Sequence, residues 1–147
     1  MIVILENLRS AYNVGSVIRT CDAFGIKQVY CVGITPDLNN KKVLKTSLGA
    51  EKNISFKYFP DITQAISESK KNKFKVVAVE LDKKAISLKD IQAEKKVALI
   101  LGNEISGISE EARELSDFIV KIPMKGVKES LNVAVAFSIV AYDILSR

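Results

Sequence analysis

The chain has 147 residues and a net charge of +5, and its 48% of hydrophobic and 27% of charged residues are typical of one globular domain. It contains no histidine, which excludes Ser-His and Cys-His nucleophile pairs and histidine general bases. Two cysteines without histidine make neither a metal-ligand cluster nor a secreted disulfide framework, so we expect a protein of the reducing cytosol with no bound metal.

Short apolar runs alternate with amphipathic stretches along the whole chain. The N-terminus begins with an apolar run and lacks the features of a signal peptide, and no run is long enough to cross a membrane. The runs predict strands at Ile2–Leu5, Val29–Val32, Ile54–Tyr58, Val76–Val79, Val97–Leu101 and Phe118–Ile122. The intervening patterns predict helices at Val14–Phe24, Lys41–Leu48, Ile62–Lys71, Glu110–Leu115 and Leu131–Leu145. This alternation predicts an α/β fold with a mostly parallel sheet flanked by helices.

A first polar segment, Asn7 to Arg19, joins the first strand to the first helix. Backbone N–H groups at a helix start, together with guanidinium groups, suit a phosphate. Alone, such a turn more often caps a helix than takes part in catalysis. The residues that we expect to face outward around this turn are Asn7, Arg9, Asn13, Gly15 and Arg19.

Four other residues early in the chain carry local predictions. Cys21 and Cys31 have apolar neighbours, so we expect both thiols in the core. Asp61 with Gln64 resembles a capping box at the start of a helix. The lysine clusters along the chain fit a solvated surface and an RNA-binding surface equally well.

A second segment, Leu101 to Gly107, follows a buried strand and carries two glycines. We expect Gly102 to allow a ligand to approach the backbone closely. The segment is not a P-loop, because Ile108 and Ser109 stand where lysine and serine or threonine are required. It also lacks the G-x-G-x-x-G fingerprint of dinucleotide sites.

A third segment, Met124 to Asn132, precedes the last helix. Ser130 is the predicted N-cap of that helix. Asn132 interrupts an otherwise apolar stretch, and a buried amide there would need hydrogen-bond partners.

The last helix is apolar on nearly every side. A single sheet covers only one stripe of such a helix, so we expect a second subunit to cover the other. The small residues Ala134, Ser138 and Ala141 would allow close packing at that interface.

Together, the three segments resemble, in order and spacing, the motifs of the SpoU (TrmH-like) family of the SPOUT superfamily of RNA methyltransferases. The resemblance extends from about Ile4 to Ile144. It is carried by Asn7, Asn13, Gly15 and Arg19; by Leu101, Gly102, Asn103, Glu104 and Gly107; and by Ile122, Pro123, Met124, Ser130, Leu131 and Asn132.

The resemblance implies transfer of a methyl group from S-adenosylmethionine to a ribose 2′-hydroxyl of RNA. It also implies a C-terminal deep trefoil knot and a homodimer packed through the last helix. Carried over by position, the cofactor contacts are Val79, Gly102, Ile122, Met124, Ser130 and Leu131.

The resemblance likewise assigns roles in catalysis and RNA binding. Arg19 would bind the adjacent phosphate, Asn13 would place the ribose, and Glu104 would hold Arg19 or the RNA. Asn132 would order the cofactor loop. The implied catalytic residues are Asn13, Arg19, Glu104, Ser130 and Asn132, and the implied RNA contacts are Asn7, Arg9, Asn13 and Arg19.

Two other classes of protein compete with this hypothesis. A flavodoxin-like or nucleotide-binding protein is disfavoured by the missing glycine fingerprint and P-loop lysine. A noncatalytic RNA-binding module of the same fold is disfavoured by the intact motif residues. We expect one methyltransferase domain over residues 1–147 with no extension domain, and transfer RNA in preference to ribosomal RNA as its substrate.

Overall fold

The computed structural model describes residues 1–91 and 96–147. Its strands are β1 (Ile2–Glu6), β2 (Gln28–Val32), β3 (Ser55–Phe59), β4 (Lys75–Val79), β5 (Ile86–Ser87), β6 (Val97–Leu101) and β7 (Phe118–Lys121). Its helices are α1 (Ala11–Ala23), α2 (Lys41–Ser47), α3 (Ile62–Lys71), α4 (Glu110–Leu115) and α5 (Val133–Leu145). Short 3₁₀ helices cover Ala50–Asn53 and Leu88–Asp90. Every predicted strand and helix is present, and β5 is an addition.

The strands form one sheet in the order β3-β2-β1-β6-β4-β7-β5, and every neighbouring pair is parallel. Strands β1 and β6 are buried at every residue, which explains their continuous apolar sequences. Because all strands run in the same direction, their carboxyl ends share one edge of the sheet. The predicted α/β class with a parallel sheet is confirmed.

Helices cover both faces of the sheet. Val3 and Leu5 belong to the core under α1, α2 and α5, whereas Ile2 and Ile4 belong to the core under α3 and α4. Alternate residues of one strand therefore pack against the helices on opposite faces of the sheet, because successive side chains of a pleated strand point to opposite sides.

Helices α1 and α2 touch at Gly15, which is buried, so the expectation that Gly15 faces outward is wrong. A Cβ atom there would lie 2.6 Å from the carbonyl oxygen of Val43 and 2.6 Å from Cβ of Thr46. Glycine is therefore needed for this close contact, and the contact sets the position of α2 against α1.

Three expectations about the last helix are wrong in detail. The helix begins at Val133 with Asn132 as N-cap, so Ser130 is not the cap. Asn132 is exposed and not buried, and its side chain has structural partners: it accepts from the N–H groups of Ala134 and Val135 and donates to Asn13. The small residues face α1 of the same chain: Ala134 is buried, and Ser138 Oγ lies 3.5 Å from Thr20 Oγ1.

A second apolar face of α5 is nevertheless uncovered. Val135, Ile139 and Tyr142 recur at intervals of four and three residues and are 47%, 40% and 64% exposed. The prediction that one chain cannot bury this helix on all sides is confirmed.

Several local predictions also have clear outcomes. Cys21 and Cys31 are buried free thiols, and burial raises the pKa of both, to about 12 for Cys31. Asp61 caps α3, but the Gln64 side-chain amide donates to the Asp61 carboxylate instead of accepting from the Asp61 backbone N–H, so the capping box is only half formed. Within the described ranges, no helix has the length and apolarity needed to span a bilayer.

Candidate active site

A cavity of about 390 Å³ opens at the carboxyl edge of the sheet, between the ends of β4, β6 and β7 and the start of α5. This volume lies within the range of roughly 300–1,000 Å³ that is usual for small-molecule sites. The position is the one where open parallel sheets bind ligands.

The cavity gathers residues from all three polar segments. The residues predicted to contact the cofactor all line it: Val79, Gly102, Ile122, Met124, Ser130 and Leu131. Four of the five implied catalytic residues line it as well: Asn13, Glu104, Ser130 and Asn132. Asn13 and Asn132, which are 119 positions apart in sequence, are thus hydrogen-bonded to each other at this cavity.

A chain of hydrogen bonds joins the three segments at this cavity. The Asn13 side-chain amide donates to Glu104 Oε1 at 2.9 Å, and Asn13 Oδ1 accepts from Asn132 Nδ2 at 3.0 Å. Asn132 Oδ1 in turn accepts from the backbone N–H of Ala134 at 2.9 Å. Both amides therefore have one orientation that satisfies the network.

Glu104 also holds the start of α1. Its carboxylate accepts hydrogen bonds from the backbone N–H groups of Arg9 at 2.9 Å and Ser10 at 3.1 Å. Burial raises the pKa of this carboxyl, but the hydrogen bonds from Arg9 and Asn13 outweigh burial, so the pKa lies below its ordinary value. Among the described residues Glu104 accepts hydrogen bonds from Arg9, Ser10 and Asn13 and forms no ion pair with Arg19, so its alternative role of holding the RNA stays a prediction.

The loop after β6 closes on itself. Asn103 and Gly107 exchange backbone hydrogen bonds of 3.0 and 2.9 Å. A Cβ at Gly102 would collide with the backbone of Gly107 and Ile108. The predicted reason for Gly102, close approach of a ligand, is therefore incomplete, because the loop's own backbone already requires glycine there.

Sequence analysis missed Glu80, which also lines the cavity. Its carboxylate accepts from the backbone N–H of Leu81 at 2.8 Å and of Ile108 at 3.0 Å. A Cβ at Gly107 would strike this carboxylate, and Gly107 has a φ of +71° that also favours glycine. An acidic residue directly after a buried strand was the signal that could have revealed Glu80.

Asn7, Arg9 and Arg19 lie outside the cavity lining. Asn7 has a φ of 53°, and its Oδ1 accepts from the N–H of Ile34 at 3.2 Å, so it shapes the turn after β1. Its carbonyl oxygen accepts from Asn103 Nδ2 at 2.7 Å. Arg9 and Arg19 are exposed, and Arg19 lies six residues beyond Asn13, or about 9 Å along the helix axis.

The chain is similar to known proteins over nearly its whole length. The family model for the SpoU rRNA methylase family matches residues 1–142. A Thermus thermophilus protein named tRNA (guanosine(18)-2′-O)-methyltransferase is 35% identical over 144 residues, which cover 96% of this chain and 72% of that protein.

Solved structures show the same fold. The SpoU methyltransferase AviRb from Streptomyces viridochromogenes, in complex with the cofactor AdoMet, has a TM-score of 0.91 and 25% identity, covering 99% of this chain and 59% of that one. The Aquifex aeolicus TrmH/SpoU tRNA modifying enzyme has a TM-score of 0.86 and 31% identity, covering 99% and 73%. The cavity at the sheet edge, the three joined segments and these similarities agree: the chain belongs to the SpoU rRNA methylase family.

Proposed function

We propose that this protein transfers a methyl group from S-adenosylmethionine to a ribose 2′-hydroxyl of RNA. The observation that carries the proposal is the hydrogen-bonded chain Glu104–Asn13–Asn132, which joins the three family motifs at one cavity. The names of the relatives support the reaction, and a neighbour in complex with AdoMet supports the methyl donor.

The cavity suits this donor. Apolar side chains such as Leu81, Ile105 and Met124 can enclose an adenine ring. Glu80 and Glu104 both line the cavity, where negative charge favours a cationic sulfonium. The bound donor supplies an activated methyl group, so the chain needs no histidine and no covalent intermediate.

The protein residues then orient the RNA. Asn13 lies at the cavity with its amide held between Glu104 and Asn132, and it would place the target ribose. A guanidinium group can donate two parallel hydrogen bonds to a phosphate, so Arg19 would bind a backbone phosphate next to the target. That phosphate or a water molecule would accept the hydroxyl proton.

Transfer RNA is the proposed substrate, because relatives from Thermus thermophilus and Aquifex aeolicus are named tRNA (guanosine(18)-2′-O)-methyltransferases. An enzyme with this substrate would work in the cytoplasm. A noncatalytic RNA-binding module remains the alternative, and no described residue favours it over catalysis.

We also propose a homodimer packed through α5. The uncovered face at Val135, Ile139 and Tyr142 supports it, since a stripe of this kind is usually buried by a partner. Family membership supports a second copy of the chain as that partner.

A C-terminal trefoil knot is a further part of the proposal. It is supported by the position of β7, which lies between β4 and β5 although both strands precede it in the chain. The chain after β6 therefore returns to a position between β4 and β5, two strands that precede it in the sequence.

The test of the activity combines a methyl-transfer assay on cellular RNA with calorimetry of S-adenosylmethionine binding. We expect Arg19→Ala to lower methyl transfer at least about 100-fold, because the ribose is no longer oriented. Binding of the donor should stay unchanged, since Arg19 lies outside the cavity lining. Lys71→Ala, which removes an exposed charge from α3 on the opposite face, is the matched control.

The other possible outcomes of these two measurements each have a single interpretation. Full activity of Arg19→Ala would show that Arg19 has no role in the reaction. A wild-type protein that binds the donor and RNA without methylation would support the noncatalytic module. Failure of the wild type to bind the donor would overturn the proposed function.

A further inference from the structure

An aromatic ring lies exposed beside the candidate active site. Tyr12 is the second residue of α1 and is 50% exposed, while its neighbours Ala11 and Val14 are buried. The next residue, Asn13, lines the cavity. A flat apolar surface is thus presented to solvent one residue away from the group that would place the ribose.

One basic side chain lies against this ring, and others are exposed on the same two helices. Lys42 Nζ on α2 lies 5.9 Å from the centroid of the Tyr12 ring, within the range of a cation–π contact. Arg19 lies seven residues after Tyr12, about two helical turns, and so shares its face of α1. We call the exposed set the Tyr12 patch; its members are Tyr12, Arg19, Lys41, Lys42 and Lys45.

The charges of the Tyr12 patch have no acidic partners among the described residues. The ion pairs formed by the described part of the chain involve other basic residues, namely Lys57, Lys70, Arg113 and Arg147. The patch therefore keeps its positive potential for an external anion. The close contact at Gly15 places the aromatic and basic parts of the patch on two helices that touch.

We propose that the Tyr12 patch binds a single-stranded segment of the RNA substrate, with one nucleobase stacked on Tyr12. Lys42 and Lys45 would contact the flanking phosphates. The Tyr12 ring can stack only on a base whose face is not covered by neighbouring bases of an RNA helix. The substrate site is therefore a loop or an unpaired end and not a continuous duplex. The identification of the ligand as RNA rests on the proposed function.

The sequence offers a direct optical test, because it contains no tryptophan. Tyr12→Trp places a single indole in the patch, and we expect its fluorescence to be quenched by a short single-stranded oligoadenylate. A duplex of the same length should quench it much less. The matched control is Tyr58→Trp on β3, where Tyr58 is 52% exposed and lies near the carboxylate of Asp37.

Affinity measurements on the same single strand separate stacking from charge. Tyr12→Leu should weaken binding by roughly 5- to 150-fold, the effect of losing one stacked base, whereas Tyr12→Phe should keep the affinity. Lys42→Ala should lower the slope of log affinity against log salt by about 0.7, the value for one phosphate contact on a single strand.

Three results would overturn the proposal: no quenching of the indole in the Tyr12→Trp variant, equal quenching by duplex and single strand, or wild-type affinity of Tyr12→Leu. The binding experiments need neither donor nor methyl transfer. Their failure alongside an active wild-type enzyme would therefore remove only the docking site. Clear stacking alongside an enzyme that methylates no RNA would overturn the proposed function and leave the docking site.

Discussion

Glu104 links two of the three motif segments through one side chain. Its carboxylate receives two backbone N–H groups from the start of α1 and the amide of Asn13. Hydrogen bonds to an ionised acceptor are stronger than those between neutral groups. A neutral amide at the same position would present an NH₂ group to at least one of these donors.

We expect Glu104→Gln to lower the free energy of unfolding at neutral pH by about 1 kcal/mol, because the side chain is partly exposed and one acceptor is lost. The pKa of Glu104 is lower in the folded state, so its contribution is present above the unfolded-state pKa and is lost as pH falls through the folded-state value. Urea unfolding of both proteins should show a difference that shrinks in acid. A difference that is independent of pH would contradict the ionised role.

At the scale of elements, α5 has two apolar faces with different partners. Phe137, Val140 and Ala141 lie in the core of their own chain, together with residues of α1. Val135, Ile139 and Tyr142 do not. A charge at Val140 would therefore disrupt folding, whereas a charge on the exposed face tests association alone.

We expect Ile139→Asp to convert a dimer to a folded monomer, because each subunit would bury an unpaired charge in an apolar interface. Sedimentation measures the association state, and circular dichroism confirms that the monomer is folded. Ser67→Asp, on the exposed side of α3, introduces the same charge away from α5 and should leave the dimer intact. A wild-type protein that sediments as a monomer would exclude the dimer.

At the scale of the whole molecule, the order of the strands departs from their order in the chain. Strand β6 pairs with β1 and β4, and β7 pairs with β4 and β5. The site depends on this arrangement, since the ends of β4, β6 and β7 form the cavity. The proposed knot would be a consequence of the same return of the chain.

Stretching single molecules by their two ends tests the knot. An unknotted chain of 147 residues extends to about 530 Å, whereas a tightened trefoil retains part of the chain and shortens it. We expect the shorter length when the folded protein is pulled. Extension to the full length would exclude the knot.

The element types and the site residues were largely predictable from the sequence, for different reasons. Strands such as Val97–Leu101 are continuous apolar runs, and α3 matches its predicted bounds, Ile62–Lys71. These features depend on local periodicity and caps. The residues expected to contact the cofactor were named from family resemblance and line one cavity, but periodicity alone would not have selected them.

Other features depend on residues that are distant in sequence, so only the tertiary structure decided them. The pairing of Asn13 with Asn132, the contact of Glu80 with the loop at Ile108, and the packing of Ser138 against α1 all join separate elements. The sequence by itself determined the elements, the apolar excess of α5 and the motifs, because these depend on local patterns. No local pattern records which elements become neighbours. The folded chain decided which face of α5 stays uncovered and that Arg19 lies outside the cavity.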